Sequence, residues 1–177
     1  MATISKKVCM VGDFAVGKTS LIRRFVERQF SDSYLSTVGV KISRKTIEVQ
    51  RANQQDKLDL QMLIWDLEGH TKFKAIAPSY LQGTSGALII ADVSRLETIE
   101  RIPEHIQLFY AVNPKGHLIV ALNKSDLVDE EKLEKLVQLA QAKAQDKVLA
   151  IYQTSAKTGI QVDKIFETLA YRMTQPI

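Results

Sequence analysis

Disulfide chemistry is the first thing this sequence lacks. Of its 177 residues only Cys9 is a cysteine, so no cross-linked framework exists and a reducing compartment is compatible. Cys9 lies inside an apolar run and reads as a small buried hydrophobe. Long apolar runs are missing as well, and none approaches the roughly 20 residues that span a bilayer. The start, Met1 to Lys7, has no apolar stretch of the kind a secretory signal needs. Ala2 is incompatible with N-myristoylation, and Met173-Thr174-Gln175-Pro176-Ile177 offers no cysteine to prenylate, so the expectation is a cytoplasmic chain without a lipid anchor. Blocks of one charge are absent too. The formal net charge is +4, but basic residues never run beyond a pair, as in Lys6-Lys7, Arg23-Arg24 and Arg44-Lys45, so nucleic acid is not an expected partner. There is no internal repeat and no low-complexity segment. With 45% hydrophobic residues, positions 1–177 fit one domain with one well-formed core.

Against that background one stretch is dense with chemistry. Gly12-Asp13-Phe14-Ala15-Val16-Gly17-Lys18-Thr19 is a full match to G-x-x-x-x-G-K-[ST]. The apolar run Lys7 to Val11 before it reads as a buried parallel strand, and Ser20 to Val26 after it has amphipathic helical spacing. Glycine at 12 and 17 lets the backbone approach phosphates, so that amide N–H groups converge at a helix N-terminus where peptide dipoles favour negative charge. Lys18 supplies a cation for the outer phosphates, and the Thr19 hydroxyl is a ligand for Mg²⁺. Nucleotide contacts are therefore expected along Gly12, Asp13, Phe14, Ala15, Val16, Gly17, Lys18, Thr19 and Ser20.

Further along, Phe30 to Gly39 is rich in turn formers and reads as a loop over the phosphates. Ile42 with Thr46 to Val49, and Leu58 to Ile64 with its clean alternation, predict an antiparallel hairpin with a polar tip at 51–56. Thr71 to Gln82, interrupted by Pro78, predicts a short irregular helix. Ala87 to Ala91 and His117 to Leu122 read as strands buried on both faces, and Val148 to Tyr152 as the last strand. Helices are predicted over Glu97 to Val112, where Pro103 introduces a kink or a first turn, over Glu130 to Gln145, and over Val162 to Met173. The resulting order, β α β β α β α β α β α, predicts an α/β fold of the phosphate-loop NTPase class. Its six-stranded, mostly parallel sheet has one antiparallel edge strand and helices on both faces. In such sheets ligands sit at the carboxyl ends of the strands.

Two turns after strands choose the base. In Asn123-Lys124-Ser125-Asp126, the Asp126 carboxylate is able to accept both the ring N–H and the exocyclic amino group of guanine, a donor pair that adenine does not present on that edge. Thr154-Ser155-Ala156-Lys157 supplies a backbone N–H, that of Ala156, for the guanine carbonyl. A phosphate-loop kinase of small molecules that uses ATP would leave both segments as accidents.

These residues carry a resemblance. Gly12 to Thr19, Tyr34 with Thr37-Val38-Gly39, Trp65-Asp66-x-x-Gly69, Asn123-Lys124-x-Asp126 and Ser155-Ala156-Lys157 follow the motifs of the Ras-like small GTPases in order and over nearly the whole chain, with wording nearest the Rab and Rho branches. The resemblance implies that Thr37 completes Mg²⁺ coordination when a γ-phosphate is present and that Asp66 acts on the metal through water. It also implies that the Gly69 amide contacts the γ-phosphate, that Phe30 packs edge-on against the base and that the Lys124 stem covers its face. Thr37 and Gly69 would then tie two loops to a group that hydrolysis removes, which makes a switch. Effector and regulator proteins are expected to read it through segments 30–40 and 66–82, on a monomeric protein binding GTP or GDP with Mg²⁺.

Four departures bear on rate and partners. His70 stands where most relatives have a glutamine that orients the attacking water. A neutral imidazole both donates and accepts, as in translational GTPases, so His70 is either a water-positioning group or a solvated loop side chain. Phe14 replaces a small residue and either crowds the γ-phosphate side, where an arginine finger worth about five powers of ten, or roughly 7 kcal/mol, would enter, or packs outward on a switch loop. Leu67 and Glu68 make the second switch more apolar and more acidic, with Lys72 and Lys74 as partners for Glu68. The hairpin tip is longer than usual and is either a partner contact or a tolerated insertion. His105 and His117 have no motif around them and read as ordinary side chains, and Trp65 as a core or partner-facing aromatic. The expected activity is slow hydrolysis of GTP with Lys18, Gly69 and His70 as catalytic groups. The alternative is a regulated GTP-binding module with negligible hydrolysis.

Overall fold

Alternating faces of four apolar strands build two cores, one on each side of a single sheet. In a strand, neighbouring side chains point to opposite faces. Accordingly Val8 and Met10 join Leu88, Ile90, Ile119 and Ala121 in one core, while Cys9 and Val11 join Ala87, Ile89, Leu118 and Val120 in the other. Strands buried on both faces read as continuous apolar runs, which is why these are legible in the sequence. A computed structural model of the chain describes residues 3–32, 40–52, 55–67 and 78–176. It contains strands β1 (Thr3–Gly12), β2 (Val40–Gln50), β3 (Lys57–Leu67), β4 (Thr84–Asp92), β5 (His117–Asn123) and β6 (Ile151–Gln153). The helices are α1 (Lys18–Glu27), α2 (Pro78–Leu81), α3 (Leu96–Glu100), α4 (Ile102–Val112), α5 (Glu130–Ala144) and α6 (Val162–Thr174).

The six strands lie in the order β2-β3-β1-β4-β5-β6. β1 pairs in parallel with β3 and β4, β4 with β5, and β5 with β6, whereas β2 runs antiparallel to β3 from Val40 opposite Leu67 to Gln50 opposite Lys57. The expected sheet and its antiparallel edge strand are both present. On one face α1 and α6 pack through Phe25 and Phe166, whose rings stack at 4.1 Å. On the other, Ile99 of α3, Ile106 and Phe109 of α4, and Leu136 and Ala140 of α5 close the second core. α5 starts where the Asp129 side chain accepts a hydrogen bond from the Lys132 N–H at 2.8 Å, with Glu130 and Glu131 favourably placed in its first turn.

Two boundaries differ from expectation. The helix predicted over Glu97 to Val112 is two helices that meet at Arg101, because Pro103 takes an early position in α4 where its missing N–H costs nothing. The last strand is Ile151–Gln153 rather than 148–152, since only this short stretch registers against Val120 to Leu122. Of the helix expected over 71–82, the described residues contain α2 at Pro78–Leu81, and residues 71–77 lie outside them. Every parallel strand points its carboxyl end to one edge of the sheet, and there the segment after β1 meets the end of β3 and the turns after β4 and β5.

Candidate functional site

The loop from Gly12 to Gly17 is drawn so close to its neighbours that its glycines have no room for a side chain. A Cβ at Gly12 would lie 2.4 Å from the Ile90 carbonyl oxygen, and one at Gly17 would lie 2.2 Å from Asn123 Nδ2. Gly17 also has a φ of +104°, which L residues avoid. Beyond it α1 begins at Lys18, whose buried ammonium donates to the carbonyls of Gly12 and Asp13, both at 2.9 Å. The next three carbonyls are held from outside the loop. Arg95 Nη1 donates to Phe14 O at 2.6 Å, Lys124 Nζ to Ala15 O at 2.9 Å and Asn123 Nδ2 to Val16 O at 3.0 Å. Thus every carbonyl from 12 to 16 accepts a bond from a named side chain, although Ala15 is held in the left-handed region at φ 60°.

The turns that supply these donors are themselves braced. Asp92, 1% exposed at the end of β4, accepts from the Ser94 N–H at 2.9 Å and the Ser94 hydroxyl at 2.6 Å, and its Oδ2 pairs with Lys124 Nζ at 2.9 Å. Asn123 is buried at the end of β5 and its Oδ1 accepts from the Thr154 hydroxyl at 3.2 Å. Across the same turn the Ser155 hydroxyl donates to Asp126 Oδ1 at 2.7 Å and accepts from the Thr158 N–H at 3.1 Å. Asp126 itself faces solvent, Ala156 is buried and Lys157 is exposed. The two segments predicted to choose the base are thus joined to each other by the hydroxyls of Thr154 and Ser155, and to the phosphate loop by Asn123 and Lys124.

At the other side Thr19 donates its hydroxyl to Asp66 Oδ2, and Asp66 is 1% exposed at the end of β3. An alcohol and a carboxylate are hard oxygen donors of the kind Mg²⁺ takes, usually together with substrate phosphates. Among the described residues no group of three His, Cys, Asp or Glu side chains stands ready to hold a metal. Ser20 lies in the first turn of α1, and Phe30, 36% exposed, lies three residues past its end. Trp65 packs at the margin of the second core, with Lys7 Nζ 3.7 Å from its ring centre. Tyr34, Thr37, Val38, Gly39, Glu68, Gly69, His70, Lys72 and Lys74 lie outside the described residues.

One group at the site escapes a reading of the sequence. Asp13, 8% exposed, turns its carboxylate away from the loop toward α4, pairing with Arg101 Nη1 at 2.6 Å and His105 Nε2 at 3.2 Å. Burial pushes the Asp13 carboxyl up, but the bonds and charges of His105 and Arg101 outweigh it and leave the group below its ordinary value. His105, expected to be an ordinary side chain, is a partner of the phosphate loop, and Arg95 and Arg101 carry no motif at all.

The sequence has known relatives. Residues 7–175 match the Ras family. The chain belongs to that family. It is 35% identical over 172 residues to the Ras-related protein RABF2b of Arabidopsis thaliana, covering 97% of this chain and 82% of that protein. It is 33% identical over 175 residues to the GTP-binding protein ypt5 of Schizosaccharomyces pombe, covering 98% and 80%. It is 32% identical over 175 residues to human Ras-related protein Rab-22A, covering 98% and 86%. This Ras-family chain is a small GTPase, a switch that binds GTP and GDP with Mg²⁺ and has effector and regulator proteins as partners.

Proposed function

We propose that residues 1–177 act as one monomeric G domain in which the loop of Gly12 to Thr19 holds the phosphates and Asp126 reads guanine. The observation that carries this reading is the Ser155 hydroxyl bonded to Asp126 at 2.7 Å, which aims the carboxylate from a turn that Asn123 and Lys124 also lock to the phosphate loop. In this reading Phe30 borders the base, the Lys124 stem covers it and the Ala156 amide meets the guanine carbonyl. Lys157 flanks that turn. The amides of Asp13 to Thr19, with Ser20 behind them, face the phosphates.

Thr19, Thr37 and, through water, Asp66 would hold Mg²⁺. Bound there, Mg²⁺ neutralises charge on the outer phosphate oxygens. Lys18 and the loop amides stabilise the charge that gathers as water attacks the γ-phosphorus and the bond to the β–γ bridging oxygen breaks, giving GDP and phosphate. His70 orients that water and the Gly69 amide contacts the transferring group. Phe14 narrows the approach for an added arginine, so turnover is slow. Segments 30–40 and 66–82 present the nucleotide state to effectors and regulators. A cytoplasmic location is part of the same reading, since Cys9 is a buried free thiol suited to a reducing compartment.

The substitution Asp126→Asn tests the base assignment. The introduced amide presents an N–H where guanine also presents one, whereas xanthine offers a carbonyl oxygen there. Competition binding is expected to show guanine affinity falling about 100-fold or more and xanthine nucleotides gaining, as for a site left with an unpaired polar group. Undiminished preference for guanine would refute the assignment.

A further inference from the structure

We propose that Arg95 is a positioning residue of the phosphate loop, one that slows nucleotide release by holding the Phe14–Ala15 peptide in its binding orientation. The inference rests on guanine nucleotide binding at this loop. In a trans peptide the C=O and the following N–H point in opposite directions, and no described peptide bond is cis. Arg95 Nη1 takes the Phe14 carbonyl at 2.6 Å, so the Ala15 N–H is turned away from Arg95, which leaves it free to face the phosphates of the proposed function. The peptide needs holding because Ala15 sits at φ 60°, a conformation L residues adopt rarely.

Arg95 is built to do this. Its own N–H bonds to Asp92 O at 2.9 Å and its carbonyl accepts from the Thr98 hydroxyl at 2.7 Å, which fixes the turn that carries it. Its Nε is anchored on Glu97 at 3.2 Å. Behind it, Arg101 and His105 grip the carboxylate of Asp13, the residue before Phe14, at 2.6 and 3.2 Å. Two successive loop residues are therefore clamped by the segment after β4. Asp92 links the clamp to Lys124, whose ammonium holds the next carbonyl, so the base-side and phosphate-side supports share one buried carboxylate.

The test is release of a fluorescent N-methylanthraniloyl GDP from the purified full chain, chased with excess GDP in the presence of Mg²⁺. Arg95→Met is expected to speed release about tenfold, the size of losing one charge-assisted hydrogen bond, and Arg95→Lys, which keeps a charged donor, to stay within about threefold of wild type. Arg101→Gln, which acts one step further from the Ala15 amide, is expected to speed release by less, about threefold. Release from Arg95→Met at the wild-type rate would overturn the proposal. So would equal rates for the methionine and lysine variants, because a merely structural side chain is not rescued by a donor. Wild-type protein that retains no labelled GDP at all would instead refute the nucleotide reading on which the clamp depends.

Discussion

His117 opens β5 with its ring partly buried, and burial together with the nearby Arg172 charge holds its pKa below 6.5. A folded-state pKa below the unfolded one means that the unfolded chain binds the proton first on acidification. Stability is then fully present above pH 6.5 and falls as pH drops from 6.5 through the folded value. Urea unfolding at about pH 7.5 and about pH 5.5 should show wild type losing more stability than His117→Gln over that interval. The difference should be less than about 1 kcal/mol because solvent screens a part-exposed ring. Equal losses would remove His117 from the acid response. Asp13 has the same sign with a different cause: its pKa lies below 3.8, so its pairing with Arg101 is intact at neutral pH and is lost only as pH falls past that value. At this scale motif residues such as Lys18, Asn123 and Asp126 are legible because their chemistry is tied to their spacing. Arg95, Arg101 and His105 are not, because they reach the loop across 81, 88 and 92 residues and nothing local in the sequence marks such contacts.

Elements place those residues, and the break between α3 and α4 is the instructive case. From sequence Pro103 reads as a kink or a first turn; the chain uses it to start α4 anew, and the junction residue Arg101 is thereby aimed at Asp13. A continuous helix is the simpler periodic reading, since the apolar positions Ile99, Ile102 and Ile106 keep helical spacing across the junction. The contact between α1 and β5 is equally tight. Gly17→Ala would put a methyl group 2.2 Å from Asn123 Nδ2 at a φ of +104°, so Asn123 must give up its bond to Val16 O or the loop must shift. Titration with labelled GDP should show affinity at least about tenfold weaker in that variant, with the fold largely retained, because the strain of about 1–3 kcal/mol falls on the binding loop. Affinity unchanged from wild type would show that the loop does not depend on this close approach.

For the whole molecule, the order of strands explains why the site forms where it does. β1 is central, with β3 and β4 as its neighbours, so the loop after β1 lies between Asp66 at the end of β3 and Asp92 at the end of β4, with Asn123 next along the edge. The kinds of strand and their pairing sense are legible from continuous apolar runs and alternation, whereas the reach of the last strand is not, because three half-buried residues leave little hydrophobic signal. In the proposed function this edge is a switch that turns itself off. The most direct test of that property is timed chromatography of the nucleotide bound to purified protein loaded with GTP and Mg²⁺. The bound GTP should convert to GDP in a single slow exponential, slower still in His70→Ala at unchanged GTP binding. GTP that stays intact for as long as the protein stays folded would contradict the account and leave a binding module in its place.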